Sequence, residues 1–435
     1  MRTNFIGALL ALAVAAQAAE EDASMDQYSR EGRDIAFVVA LNAPALYSPQ
    51  TSLNLAVDPK QEPKYANRIT PVGQRQQFLI GSELRRRYVT ESKTLKEDYI
   101  ISQLYLQAPF VAKNILSLQA QMMGLYPATD ANDLTEWQQG NAVPPIEGAD
   151  FSEWQKELGA HALPHGLQTF PIQQTGFEKD FTLSLSEKNC ARYAEKIKGP
   201  LAKVSKELDA TIEKEYPDIA AEMQEKDVSG EELCDYLTWA HFNAVPLQGD
   251  KKRQDAYANL GRETCPKAYY APVTQEVQKV NAAEGNLVAS GFLSVLLDRV
   301  NYAVTKTNAT EDQDLPLALT NYQALTSDIL LTIAGQSLDL PSKETEAQLP
   351  ASSSLIFEIW NDQTVHGYLN DVEFVPAGCK KDQPCTADLF TTEISARIGY
   401  NTAPNGTETA MAAANEALQD ACADTTREAD RAIQQ

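Results

Sequence analysis

Residues 34–50, DIAFVVALNAPALYSPQ, give the clearest indication of fold in this chain. Their first part, 35–41, is an uninterrupted apolar run, which is typical of a strand covered on both faces within an α/β sheet. The strand is predicted to break at Asn42-Ala43-Pro44, because proline has no N–H to donate to a neighbouring strand and restricts the residue before it. The loop after such a strand usually carries functional groups in α/β proteins. This loop has no base, no cation and no nucleophile of note.

Length and composition are those of a soluble globular protein with an acidic surface. The 435 residues are enough for one large domain or for two to three ordinary ones. With 43% hydrophobic and 22% charged residues, the chain can bury a core and remain soluble. Its net charge of −23 argues against nucleic acid, anionic membrane surfaces and polyanionic substrates as partners.

The first residues, 1–18, have the pattern of a secretory signal peptide. Arg2 supplies the positive charge, residues 5–16 the apolar stretch, and Ala16-Gln17-Ala18 a cleavage site with small residues. No later stretch contains the roughly 18 apolar residues that a membrane span needs. We therefore expect a mature protein without a membrane span.

Two further features agree with an oxidising compartment. Asn308 and Asn405 each begin an N-x-T glycosylation sequon, which predicts a glycoprotein. An even number of cysteines favours disulfide bonds there, and their spacing leaves the pairing open: Cys190, Cys234, Cys265, Cys379, Cys385 and Cys422. No pair has the C-x2-C spacing of zinc sites, so we expect no metal and no cofactor. The predicted location is extracellular, or the lumen of lysosomes or other endomembranes.

Strands that alternate with helices predict an α/β fold, with a mixed central sheet flanked by helices and an inserted helical cap domain. The predicted core comprises residues 31–150 and 270–402, the cap residues 150–270, and the C-terminal helical tail residues 403–435. Other predicted elements are strands at 98–104 and 316–321, a hairpin of 355–360 with 364–375, a helix beginning at Thr70-Pro71, and a terminal helix at 407–433.

Several local strings follow one another in a recognisable order. They are Phe37-Val38-Val39-Ala40-Leu41 with Ser48-Pro49, Ile69-Thr70-Pro71-Val72-Gly73-Gln74-Arg75-Gln76, Gly124-Leu125-Tyr126-Pro127, Asn189-Cys190-Ala191-Arg192, and Gly378-Cys379 with Pro384-Cys385. In these strings the chain resembles the histidine acid phosphatase family, the branch of histidine phosphatases that includes lysosomal and prostatic acid phosphatases. The resemblance covers about residues 31–425, is weakest in the cap, and implies a phosphoglycerate-mutase-like fold.

The resemblance also implies catalytic positions, and this chain departs from the family at each of them. In the family a loop histidine attacks phosphorus, arginines and a second histidine bind the phosphoryl oxygens, and an aspartate protonates the leaving group. By position, Ala43 and Tyr47 replace two loop arginines, and Pro44 replaces the nucleophile. Gln107 falls at or near a further arginine, and Tyr322-Gln323 replaces the histidine–aspartate pair.

The four histidines offer no substitute nucleophile. His161 and His165 lie in a Pro/Gly loop, His241 in an aromatic helical stretch, and His366 on the hairpin. None of them follows a core strand, so we expect surface or packing roles for all four. The chain also lacks the G-x-S-x-G and H-E-x-x-H motifs and any phosphate-binding glycine loop.

The family framework further suggests disulfide pairs. It implies Cys190 with Cys422 and Cys379 with Cys385 by position. Serines 352–354 stand where the family has the usual partner of Cys234. The candidate partner is then Cys265.

The leading hypothesis is a secreted or lumenal pseudophosphatase that binds a ligand or a protein partner. The pocket lined by the six replaced positions is predicted to be neutral and aromatic, and so suited to an uncharged or hydrophobic ligand. One alternative is a structural or interaction protein that uses its acidic surface. Another is an active acid phosphatase with an unrecognised nucleophile. The sequence leaves the ligand, the partner and the oligomeric state open, a homodimer included.

Overall fold

The computed structural model describes residues 34–53, 55–63, 65–129, 133–307, 316–345, 348–399 and 410–423. The predicted signal peptide and the sequon residues Asn308 and Asn405 lie outside these ranges. Within them, no helix combines the length and the apolar character needed to cross a membrane.

A mixed sheet of six strands lies at the centre of the described residues. The strands are β1 (Ile35–Asn42), β2 (Leu104–Gln107), β3 (Leu319–Gln323), β4 (Ser354–Trp360), β5 (Val365–Leu369) and β6 (Val372–Phe374). Their spatial order is β2-β3-β1-β4-β5-β6. Both β1 and β2 run parallel to β3, whereas β4, β5 and β6 continue from β1 as an antiparallel meander. The predicted α/β class with a mixed sheet is confirmed.

Helices account for most of the remaining regular structure. In chain order they are α1 (Pro71–Arg85), α2 (Ala112–Leu125), α3 (Glu136–Asn141), α4 (Ser152–Leu158), α5 (Ala191–Glu215), α6 (Pro217–Glu225), α7 (Gly230–Phe242), α8 (Lys251–Asn259), α9 (Ala271–Ala283), α10 (Ser290–Thr307), α11 (Ser327–Ser337), α12 (Ser342–Thr345), α13 (Ala387–Arg397) and α14 (Ala410–Ala423). Two π-helical segments, Leu260–Thr264 and Pro266–Tyr270, connect α8 to α9.

Strand β1 has the double coverage that its sequence predicts, since all eight of its residues are buried. Phe37, Val39 and Leu41 pack into one hydrophobic cluster, and Val38 and Ala40 pack into another. Side chains alternate between the two faces of a strand, so both faces of the sheet are covered at β1. The uninterrupted apolar run follows from this position.

Helix α1 begins where the sequence predicts and lies close to the loop after β1. Thr70 is its N-cap, with the hydroxyl accepting from the N–H of Gly73 at 3.1 Å, and Pro71 occupies the first turn. A Cβ atom at Gly73 would lie 2.3 Å from the Leu46 carbonyl oxygen. Only glycine permits this close approach of helix and loop.

Some predicted strand boundaries are wrong. The strand predicted at 98–104 begins only at Leu104, because Ile101–Gln103 forms a 3₁₀ turn and pairing with β3 starts after it. The strand predicted at 364–375 is two strands, β5 and β6. Asn370 and Asp371 separate them with positive φ angles of 49° and 70°, a conformation that these two residue types adopt more readily than most others.

A third hydrophobic cluster belongs to the helical segment and includes Leu53, Leu55 and Val57 from the loop after β1. The Cys234–Cys265 disulfide lies within this cluster. The structure also contains Cys190–Cys422 and Cys379–Cys385, so the expectation of disulfides is confirmed with the pairs that the resemblance implied. The domain limits given above remain predictions.

Candidate functional site

The three segments that carry the six residues of the predicted pocket meet at one edge of the sheet. Asn42, the last residue of β1, pairs with Gln323 at the end of β3, and Gln107 at the end of β2 pairs with Tyr322. Parallel strands direct their carboxyl ends to the same edge, so the loop that begins at Ala43 also starts there. Segments far apart in sequence therefore lie together, as the family resemblance implies.

The loop after β1 is fixed by hydrogen bonds to its neighbours. The Ala43 N–H donates to the Ser353 carbonyl at 2.8 Å, and the Ala43 carbonyl accepts from the Gln77 side chain at 3.0 Å. The Pro44 carbonyl accepts from the Ser352 N–H at 3.0 Å. Ala43 and Pro44 are buried, so this loop presents backbone and apolar atoms to its surroundings.

Neutral side chains form a closed hydrogen-bonded ring at the same edge, which we call the amide ring. The Asn42 amide donates to Asn321 at 2.8 Å, Asn321 donates to Gln121 at 3.1 Å, and Gln121 donates back to Asn42 at 3.1 Å. All three side chains have 0% exposure. Each amide donates once and accepts once within the ring, so three buried polar groups satisfy one another without any charge.

Gln323 lies beside the amide ring and differs from it. Its side chain has 0% exposure, and neither amide atom has a hydrogen-bond partner within the described residues. The Oδ1 atom of Asn114 on α2 is also buried and unpaired. A buried polar group without any partner costs about 1–3 kcal/mol, so these atoms contrast with the mutually satisfied amide ring.

Tyr322 and Gln107 make polar contacts on the other side of the edge. The Tyr322 hydroxyl accepts from Arg299 Nε at 3.1 Å, and burial raises the pKa of Tyr322. The Gln107 side chain accepts from the Tyr105 hydroxyl at 3.2 Å and donates to Thr175 at 3.3 Å. Sequence reasoning missed Arg299, which belongs to α10 and reaches this edge through the tertiary fold.

A charged group also lies near the loop after β1. The Lys113 side chain, in the first turn of α2, is only 8% exposed, and its ammonium lies 3.7 Å from the centre of the Tyr47 ring. Among the described residues it has no hydrogen bond or ion pair. Burial lowers the pKa of Lys113 to about 8, although Asp235 opposes this effect. An aromatic ring thus provides its main direct stabilisation.

Asp235 lies on α7 in the helical segment, and its charge opposes the lowering of the Lys113 pKa. Burial raises its pKa to about 6, partly offset by the Tyr270 hydroxyl, which donates to its Oδ1 at 2.8 Å. Solvent nevertheless reaches the Asp235 side chain. Thr238 pairs with the Tyr270 hydroxyl at 3.1 Å and fixes that ring.

A second carboxyl group comes from the core. Asp328, in the first turn of α11, accepts a hydrogen bond from Thr274 of α9, and burial raises its pKa. Burial also raises the pKa of Tyr47, and the charges of Asp235 and Asp328 raise it further. Electrostatic effects on their pKa values link Tyr47, Lys113, Asp235, Tyr270 and Asp328, and we call this group of residues the recess.

The recess differs from the pocket predicted from the sequence. Of the six predicted residues, Ala43, Tyr322 and Gln323 have 0% exposure and therefore face no open space. Tyr47 is partly exposed and belongs to the recess. The charged groups of the recess come from segments to which the resemblance assigned no role. One sequence signal could have identified Lys113, because a lysine in the first turn of a helix opposes the helix dipole.

The four histidines lie away from the sheet edge. His161 contacts Asp133 at 2.6 Å, and His241 accepts from Arg262 Nε at 3.3 Å. Burial and Arg262 together lower the pKa of His241.

His366 stacks on the Trp360 ring with centroids 4.0 Å apart and contacts Glu373 at 2.8 Å. His165 is exposed, with a φ angle of 58°. None of the described residues forms a group of three or more histidine, cysteine or acidic side chains arranged to hold a metal ion.

No protein-family model matches the chain. A Caenorhabditis elegans protein named "Putative acid phosphatase F26C11.1" is 26% identical over 85 residues, which is 18% of this chain and 20% of that protein. The chain thus spans about a fifth of the length of this curated relative.

Solved structures of phytases are similar over more of the chain. Hafnia alvei phytase in its apo form has a TM-score of 0.48 at 13% identity, and the match covers 84% of this chain and 97% of the phytase chain. The Klebsiella sp. ASR1 phytase has a TM-score of 0.45 at 14% identity, with 87% and 98% coverage. The Bifidobacterium longum multiple inositol polyphosphate phosphatase, in complex with inositol hexasulfate, has a TM-score of 0.42 at 10% identity, with 82% and 91% coverage. The chain is therefore similar to phytases across most of its length, and to an acid-phosphatase-like protein over one short segment.

Proposed function

We propose that the protein is a secreted or lumenal pseudophosphatase that binds a small ligand in the recess without turning it over. The signal-peptide pattern at residues 1–18 and the three disulfides support the location. The sheet edge supports the loss of catalysis. One observation carries the proposal: the edge where the resemblance expects a nucleophile and a phosphate clamp is filled by a buried proline loop and the neutral amide ring.

Phosphoryl transfer needs groups that this edge does not supply. A phosphorylated intermediate requires a nucleophile in line with phosphorus, and cations must neutralise the charge on the equatorial oxygens. Pro44 has no side-chain nucleophile, and Arg299 is engaged by the Tyr322 hydroxyl. Removing a single stabilising donor commonly slows an enzyme by about 100- to 1,000-fold, so the absence of the whole set predicts no measurable turnover.

The charges of the recess also disfavour phosphate. A phosphate monoester carries close to two negative charges at neutral pH, and it would meet Asp235 and Asp328 with Lys113 as the only cation of the recess. Like charges in a partly desolvated site repel strongly. The phytases to which the chain is similar are named for a highly anionic substrate. We propose that this protein does not share that substrate.

Enzyme assays on the secreted, disulfide-bonded protein test the proposal. Hydrolysis of 4-nitrophenyl phosphate and of inositol hexakisphosphate is measured between about pH 4 and pH 8. We expect rates equal to the buffer blank for the wild type, for Lys113→Met, and for the control variant Lys267→Met, whose side chain is 75% exposed. Turnover that inorganic phosphate inhibits and that Lys113→Met abolishes would overturn the proposal, because it would place an active phosphate site in the recess.

A further inference from the structure

A cavity of about 430 Å³ lies in the helical segment, between α7, α8 and the π-helical segment Leu260–Thr264. We call it the α7–α8 cavity. Its volume is within the range of about 300–1,000 Å³ that is usual for small-molecule sites. None of its lining residues belongs to the sheet edge or to the recess. Any ligand of this cavity is therefore independent of the function proposed above.

Apolar residues, several of them small, contribute much of the cavity lining. They include Leu237, Ala240, Val245, Leu247, Ala258 and Gly261. A disulfide and close packing hold this lining in place. The Cys234–Cys265 disulfide joins α7 to the residue that follows the π-helical segment, and a Cβ atom at Gly261 would lie 2.9 Å from the Leu237 Cβ. The cavity is therefore formed before a ligand arrives, which lowers the entropic cost of binding.

Arg262 is a cation without an acidic partner in this cavity. Within the described residues it forms no ion pair, and its Nε donates to His241 Nδ1 at 3.3 Å. The other two charged side chains of the lining, Lys251 and Asp255, form an ion pair with each other. Arg262 also lies in a π-helical turn, a rare conformation that occurs frequently at functional sites. The cavity therefore has one net positive charge, at Arg262, that no described side chain balances.

His241 orients the arginine and adds a second donor to the cavity lining. Because the Nε of an arginine is always a donor, His241 Nδ1 accepts, and the proton of the neutral ring lies on Nε2. Burial and the charge of Arg262 lower the pKa of His241, so the ring is neutral near pH 7. Within the described residues this Nε2–H has no acceptor. The two side chains together thus offer N–H donors to an anionic group.

We propose that the α7–α8 cavity binds a small monocarboxylic acid with an apolar body. The carboxylate accepts from the terminal nitrogens of Arg262, whose planar guanidinium matches two carboxylate oxygens, and the apolar body packs against the apolar lining. An amine would meet an excess of positive charge, and a neutral apolar molecule would leave Arg262 without a partner. The net charge of −23 does not prevent binding, because exposed charges more than about 8 Å away are largely screened at physiological salt.

Calorimetric titration of the intact protein near pH 7 and at physiological salt tests the inference. The probes are octanoate and phenylacetate, together with acetate, which lacks an apolar body, phenylacetamide, which lacks the charge, phenethylamine and inorganic phosphate. We expect octanoate or phenylacetate to bind at least about tenfold more tightly than each of the other four. Arg262→Gln should weaken that binding by at least about tenfold. The control Arg75→Gln, at an exposed arginine of α1, should leave it unchanged.

A cavity-filling variant tests the location of the site. Ala258→Phe places a larger apolar side chain in the cavity and should also weaken binding by at least about tenfold. Near-UV circular dichroism shows whether this variant folds; if it does not, Arg262→Gln decides alone, since Arg262 is exposed and its substitution removes no core contact.

Three results overturn the inference. The first is no binding of either octanoate or phenylacetate. The second is equal binding of phenylacetamide or of inorganic phosphate, because the site would then recognise only the apolar body or only the charge. The third is binding that Arg262→Gln, or a folded Ala258→Phe, leaves unchanged.

Discussion

Replacing Lys113 by methionine should stabilise the protein, because the folded state bears the cost of burying this cation. Burial lowers the pKa of Lys113 from 10.5 to about 8, and each pKa unit corresponds to about 1.4 kcal/mol, so the buried charge costs about 3 kcal/mol at pH 7. Removing the charge from the first turn of α2 relieves about a further 0.5 kcal/mol. Loss of the cation–π contact with Tyr47 subtracts about 1–2 kcal/mol. The expected net gain is about 2 kcal/mol.

The stability gained by Lys113→Met should decrease as the pH rises. The folded-state pKa of Lys113 lies below the unfolded-state value, so the destabilisation is fully present below about pH 8 and disappears as the pH rises toward 10.5. At pH 9 the folded protein no longer bears most of the charge. The advantage of Lys113→Met over wild type should therefore fall by about 1 kcal/mol between pH 7 and pH 9.

Urea unfolding at both pH values measures this prediction. Each midpoint and slope give the free energy of unfolding for wild type, Lys113→Met and the exposed control Lys267→Met. The control should change by less than about 0.5 kcal/mol, since its ion pair with Glu263 lies on the surface. A variant at Lys113 that is less stable than wild type at pH 7 would refute the reasoning. So would a gain of the same size at pH 9.

Three further perturbations test other parts of the structure by the same urea unfolding. Gln121→Ala opens the amide ring and leaves two buried amides each missing a partner. The free energy of unfolding should therefore fall by about 2–4 kcal/mol, and a fall of less than about 1 kcal/mol would mean that the ring contributes little to stability. Gly73→Ala places a Cβ atom 2.3 Å from the Leu46 carbonyl oxygen and should lower the free energy of unfolding by about 2 kcal/mol. Gly140→Ala in α3, whose Cβ atom would meet nothing within 4 Å, should instead raise it by about 0.5 kcal/mol, and equal effects of the two substitutions would contradict the close packing at Gly73. Burial raises the pKa of Asp235 to about 6, above its unfolded-state value of 3.8, so its cost is absent below about pH 3.8 and complete above about pH 6. Asp235→Asn should raise the free energy of unfolding by about 1 kcal/mol at pH 7.5, a value that is reduced because solvent reaches the side chain. Near pH 4 the substitution should leave stability unchanged, and a gain in stability that persists at pH 4 would show another cause.

Local patterns in the sequence were sufficient for much of the fold. The apolar run of β1 predicts a strand covered on both faces, and Thr70-Pro71 predicts the start of α1. These signals work because the hydrophobic period and the caps act within a few residues of the positions that they define. The boundary of β2 was predicted wrongly, since its start depends on where pairing with β3 begins, and pairing partners are not local.

By itself, the sequence determined the class of sheet, and through the family resemblance it predicts that the loops at one edge of this sheet lack the family's catalytic side chains. Only the tertiary structure decided what occupies that edge instead. The amide ring joins Asn42 to Asn321 across 279 positions of sequence, and the tertiary structure buries Lys113 against the ring of Tyr47. The physical reason is the range of the interactions: a strand or a cap follows from neighbours along the chain, whereas hydrogen-bond partners and the desolvation of a charge depend on which distant segments pack around it.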